Sequence, residues 1–353
     1  MARTGSLITE TISLRTAGLI EDIGLTTGAL NAIISRGFVA RAWRNRAQWM
    51  GYARALQLQG VEIDEIDVIS WATGVEIPGR QANATLIDPF EHYAGWRSAI
   101  ADRAERHWRE DLPFTPITGD AFARAPRLLR AIEIVGQYAR ADKGIDPWLA
   151  LPILLSRLHV TPLPLPCLVG GDKAMRAARY DGERLGSAIL RDLRARSIDG
   201  LAIARGLEAD RRRWIRALST ERRPGLLRAL AILWLGQSVF RPEQLAQRLG
   251  ITRSGAGKLL ERAAEHGLLQ EVSGRRSWRV YLAPDMARRL GFAPPLRGRP
   301  RKAPTLPKED LGIGATLASF DAEMATLVAR YPELVSGGET DDEQQLSIYD
   351  QEF

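Results

Sequence analysis

Between Arg241 and Tyr281 the chain fills every sterically constrained place of two short helices that cross closely. Such a pair needs apolar residues at fixed inward places. It also needs a small residue where the helices touch and a turn residue that tolerates positive φ. Counting from Pro242, the inward places fall on Leu245, Leu249, Ile251, Ala256 and Leu259, the small residue is Ala246 and the turn residue is Gly250. Thr252 stands where an N-cap is wanted, because its hydroxyl can accept a free amide at the start of the second helix. The pattern predicts a helix-turn-helix. The hairpin after it, with strands at Leu268–Val272 and Ser277–Leu282 around a turn at 273–276, extends the prediction to a winged form. Pro224–Leu235 would be the first helix of its three-helix core.

The outward residues of the second helix are Thr252, Arg253, Ser254, Gly257, Lys258, Glu261 and Arg262. The first residues of such a helix face base edges in the major groove. Arg253 and Ser254 are therefore the candidates for base contact, since arginine can pair bidentately with guanine. Lys258 and Arg262 are candidates for phosphate, as are Arg275 and Arg276 at the wing tip. Trp278 is read as part of the wing's own packing. Gly255 and Gly257 weaken the helix by roughly 1 kcal/mol each; either the backbone approaches DNA closely there or the helix is poorly optimised. From Arg241 to Lys302 the chain carries 14 Lys+Arg against 5 Asp+Glu, the electrostatic footprint of phosphate binding.

A second basic element follows at once. Arg297, Gly298, Arg299, Pro300, Arg301 and Lys302 look like an AT-hook. Glycine has no side chain to clash with a groove floor, and proline holds the backbone extended. The flanking arginines suit the enhanced negative potential of a narrow A·T-rich minor groove. Double-stranded DNA with A·T-rich flanks is the expected partner.

The remaining composition bounds the other possibilities. The 353 residues suffice for two domains and a tail, with 45% apolar content and a formal net charge of +7. Residues 303–353 reverse the sign, with 2 Lys+Arg against 11 Asp+Glu, so the rest is more basic still. That acidic tail either competes with DNA for the basic surface or solvates the chain. One cysteine, Cys167, and four scattered histidines give no disulfide and no zinc set, which suits a reducing cytoplasm. The first residues lack the apolar core of a signal peptide, and no run approaches the ~20 apolar residues of a membrane span. Thr252–Lys258 superficially resembles the end of a phosphate-binding loop, but its glycine spacing is wrong and Leu259 replaces the magnesium-binding hydroxyl. No catalytic constellation, metal site or cofactor motif emerges.

Residues 1–220 read as mostly helical. One helix is predicted over Leu25–Leu58, closed by Gly60. Val61–Trp71 is a strand or the next helix; its carboxylates Glu62, Asp64, Glu65 and Asp67 are read as a solvated face rather than an acid–base pair. Further helices are predicted over Phe90–Arg109, Asp120–Ala141, Pro147–His159, Asp172–Arg196 and Leu201–Leu218. Alternating prolines between Thr161 and Gly171 favour extended backbone, and Gly170 and Gly171 make a connection or an anion-binding helix start.

Glu65–Trp71, Thr161–Pro166, Arg211–Trp214 and Gly274–Trp278 together resemble a bacterial, often plasmid-borne helix-turn-helix family with an N-terminal domain of unknown function. The resemblance covers roughly residues 25–292 and implies a DNA-binding domain. The expected fold is mainly α. It comprises a helical domain (1–220, for a partner, a ligand or dimerisation), a winged helix-turn-helix with a small β-hairpin wing (221–292), a basic hook-like linker (293–310) and a short helix with a flexible acidic tail (311–353). The expected function is cytoplasmic, nucleoid-associated transcription regulation; a homodimer would predict an inverted-repeat site with half-sites about one helical turn apart. A plasmid replication or maintenance protein and a nucleic-acid-acting enzyme are the alternatives.

Overall fold

The computed structural model describes residues 12–35, 37–77, 88–177, 181–274, 278–293, 318–319, 321–326 and 329. They are mainly helical, with three short strands. Two compact units, 1–205 and 206–353, divide the chain.

In the first unit the run expected as one helix is two, α1 (Leu14–Ile34) and α2 (Val39–Gln59). The Ser35 hydroxyl donates to the Asn31 carbonyl at 2.6 Å, competing with the backbone where α1 stops. Gly60 closes α2 at φ +102°, its N–H shared between the Leu56 and Gln57 carbonyls. α2 is the core helix, buried around most of its circumference from Val39 to Leu58. α1 buries only the stripe Ile23, Thr27, Leu30 and Ile34 and leaves Leu14 and Leu25 exposed. Among the described residues, α1 is also the one helix long and apolar enough to cross a membrane. Its apolar stretch is interrupted by Arg15, Glu21 and Asp22, and Asp22 pairs with Arg194 at 2.6 Å.

The segment that reads equally as strand or helix becomes α3 (Glu65–Thr73). Asp64 and Asp67 form a capping box at its start, with the Asp64 N–H 2.8 Å from Asp67 Oδ2. Two of the four carboxylates therefore cap a helix. α4 (Tyr93–Ala101) is shorter than expected, because Asp102 turns its carboxylate onto the Ala104 N–H at 2.8 Å. Pro126 splits the next predicted helix into α5 (Asp120–Arg124) and α6 (Arg127–Ala141), holding Ala125 extended. α7 (Asp146–Arg157) has Pro147 in its first turn, where proline fits.

The proline-rich connector lies in the core. Leu165, Pro166, Cys167, Leu168 and Val169 are buried, and Pro166–Leu168 make a 3-10 turn against α2. Gly51 of α2 allows that close packing: a Cβ there would sit 2.1 Å from the Pro166 carbonyl oxygen. The glycine pair is a connection and not an anion site, since the Gly171 N–H points at Asp192 Oδ2 at 3.4 Å. No helix starts at Asp172. That residue caps a second 3-10 turn, Lys173–Arg176, and α8 begins at Gly182.

α8 runs unbroken to Thr220, 39 residues, where the sequence predicts two helices. Gly200 serves close approach: a Cβ would meet Cys167 Sγ at 2.7 Å and Leu30 Cδ2 at 3.3 Å. The Trp43 indole also donates to its carbonyl at 2.9 Å.

The division at 205/206 falls inside α8, ahead of the boundary at 220 read from sequence. In the second unit the end of α8 supplies Trp214, buried 6.3 Å from Trp234 of α9 (Leu227–Gly236), and the buried Asp210 paired with Arg213. Then come β1 (Val239–Phe240), α10 (Pro242–Leu249), α11 (Arg253–Glu265), β2 (Gln270–Glu271), β3 (Tyr281–Leu282) and α12 (Pro284–Arg289). The sheet is antiparallel in the order β1-β3-β2, pairing Val239 and Gln270 with Leu282, and Phe240 and Glu271 with Tyr281. These strands are shorter than predicted, although the Val272 N–H still reaches the Val280 carbonyl at 2.9 Å. Within the tail, 321–326 is helical and docked. Met324 is buried, Asp321 pairs with Arg211, and Glu323 pairs with Arg228 at 3.5 Å.

Candidate nucleic-acid interface

α10 and α11 are set by their caps. Pro242 occupies the first turn of α10, where its missing N–H costs nothing. Gly250 ends the helix at φ +62°, its N–H returned to the Ala246 and Gln247 carbonyls, and Ile251 N–H reaches the Ala246 carbonyl at 3.0 Å. Thr252 then caps α11, its hydroxyl accepting the Gly255 N–H at 3.1 Å. A Cβ on Gly255 would lie 3.2 Å from that hydroxyl, so this glycine makes room for the cap; Gly257 has nothing within 4 Å. Leu245 and Ala246 from α10, with Ala256, Leu259, Leu260 and Ala263 from α11, are buried where the two helices pack. Leu249 and Ile251 are half-buried.

That packing leaves Thr252, Arg253, Ser254 and Lys258 exposed on the first turns of α11. Arg253 is not a loose side chain: its Nη2 lies 2.6 Å from Glu243 Oε1 on α10. Arg262 is half-buried and held still more firmly, with Nε and Nη2 at 3.1 and 2.6 Å from the Glu221 carboxylate and Nη2 donating to the Arg223 carbonyl. It is therefore built in as a brace, whereas Lys258, the other residue expected to meet phosphate, is left exposed. Arg275 and Arg276, expected at a wing tip, and Arg297, Gly298, Arg299, Pro300, Arg301 and Lys302, expected to form a hook, lie outside the described residues.

Further groups shape this surface. Glu221 receives Arg262 and, at 2.9 Å, His266, and these two hold its carboxyl below the ordinary range. Trp278 has φ +66° and is 61% exposed, so it is not buried wing packing. The Arg241 guanidinium sits 5.2 Å from its ring centroid. Arg279 is clasped by Tyr281 and Glu261, which raise its pKa. At the other end of α11, a cleft of about 440 Å³ is lined by Glu261, Glu265, Glu271, Gly274, Arg279 and Tyr281. This cleft is rich in carboxylates, with Arg279 paired to Glu261, whereas the first turns of α11 present Arg253, Ser254 and Lys258. The helix is thus polar in charge along its length.

No protein-family model matches the chain, and no curated protein matches it.

Proposed function

We propose that the second unit is a winged helix-turn-helix that binds double-stranded DNA, and that the protein is a bacterial transcription regulator. The observation that carries this reading is the exposed start of α11. A threonine-capped helix presents Arg253, Ser254 and Lys258 while its opposite face packs on α10. The free amides of a helix start add partial positive charge to the same place. Arg253 and Ser254 read base edges, Lys258 meets phosphate, and the carboxylates at the far end of α11 keep the backbone of the DNA toward the first turns. The element order helix, strand, helix, helix, strand, strand and the three-stranded antiparallel sheet support the winged form. The basic segment Arg297–Lys302 adds affinity from an A·T-rich minor groove beside the site.

The test is selection of bound fragments from the source genome by the full-length protein at about 150 mM salt. A few sites sharing one motif beside A·T-rich sequence are expected. Sites overlapping promoters mark a regulator, and an iterated array marks a plasmid-maintenance role. Recovery of no preferred sequence overturns the reading.

A further inference from the structure

We infer that Glu243 is a positioning residue that sets base specificity, by holding the Arg253 guanidinium in one direction at the start of α11. The inference rests on the proposed DNA-binding reading and goes beyond it, because Glu243 lies on the helix that does not enter the groove.

Both carboxylate oxygens of Glu243 are shielded from solvent and accept no hydrogen bond, so their neighbours are ion-pair partners, while the side chain as a whole is 31% exposed. One lies 2.6 Å from Arg253 Nη2, and the other lies 3.9 Å from Arg241 Nε. Arg241 is in turn set against the Trp278 ring at 5.2 Å. Arg241 is thus a second cation beside the carboxylate, at the outer limit of ion-pair distance. Carboxylate oxygens shielded from water are stabilised by such cations. Arg253 meanwhile keeps 61% of its side chain exposed. With Nη2 engaged, the remaining donors of its planar fork stay open to a ligand.

Direction matters for recognition in two ways. An unrestrained arginine at a helix start turns to whichever phosphate is nearest, which binds every sequence alike. An arginine whose direction is already fixed loses less rotamer freedom on meeting a guanine edge, and its charge is partly offset against phosphate. Glu243 therefore trades sequence-independent attraction for discrimination.

The experiment measures affinity of the full-length protein for its selected site, for every single-base variant of that site, and for an unrelated duplex. Arg253→Ala identifies the base pair that Arg253 reads. Glu243→Gln is expected to lose about tenfold in discrimination at that same base pair, within the range of one bidentate pairing. It should bind the unrelated duplex as tightly as wild type or more so. Arg253→Lys keeps the charge and loses the fork, so adding Glu243→Gln to it should change nothing further at that position. Glu243→Gln that retains full discrimination, or that loses affinity equally on all duplexes, overturns the assignment while leaving DNA binding intact. A wild-type protein that prefers no sequence overturns the parent reading, and this inference with it. Matching thermal unfolding of the variants separates these outcomes from misfolding.

Discussion

Gly51 and Gly18 are the same residue type in adjacent helices, and their surroundings assign them opposite costs. A Cβ on Gly51 would lie 2.1 Å from a backbone carbonyl that cannot move aside. Gly51→Ala should therefore destabilise the first unit by about 1–3 kcal/mol, as overpacking does. Gly18 in α1 has nothing within 4 Å, so Gly18→Ala should stabilise by about 0.5–1 kcal/mol through helix propensity. Urea titrations of both variants check this, and equal effects would refute the close approach at Pro166. Thr252→Ala removes the hydroxyl that accepts the Gly255 N–H and should cost about 1 kcal/mol. The cost should appear as a lower denaturation midpoint of the second unit. Thr252 and Gly250 are legible in the sequence because cap and turn chemistry is local. The role of Gly51 is not, because its partner lies far along the chain.

At the scale of elements, α11 depends on a carboxylate at the end of another helix. Glu221 holds Arg262 and His266, and they keep its carboxyl below the ordinary range. A carboxyl lowered by folding contributes stability that is present above its unfolded value, about 4.3 for glutamate. That contribution disappears as pH falls through the lower folded value. The stability difference between wild type and Glu221→Gln should therefore be present near pH 6 and vanish in the acid range below about 4. Denaturant titrations across pH measure it, and a difference that persists at the acid limit would show that the ion pairs of Glu221 are not its source. The basic element Arg297–Lys302 makes a separate prediction. Its deletion should weaken DNA binding and make the salt dependence shallower by ~0.9 for each phosphate that the segment neutralises. An unchanged slope would make the segment a linker only.

For the whole molecule, the division between the two units falls inside α8, so where the chain is cut decides what folds. A fragment from residue 221 lacks Asp210, Arg213 and Trp214, and with them the aromatic partner of Trp234. The fragment 206–353 should unfold cooperatively and bind the selected DNA, whereas 221–353 should be markedly less stable by circular dichroism melting. Comparable melts would place the division at 220 after all. The sequence by itself determined the helical class and the turn, cap and inward places of α10 and α11. It also determined the basic candidates on the exposed face. Each of these is fixed by neighbours a few residues away, through helical periodicity and backbone conformation. Only the tertiary structure decided that the proline-rich connector is core and that Gly200 leaves α8 unbroken. It alone set Arg262 as a brace and tied Arg253 to Glu243. Those outcomes depend on groups brought together in space, where burial and opposite charge, rather than local propensity, set the free energy.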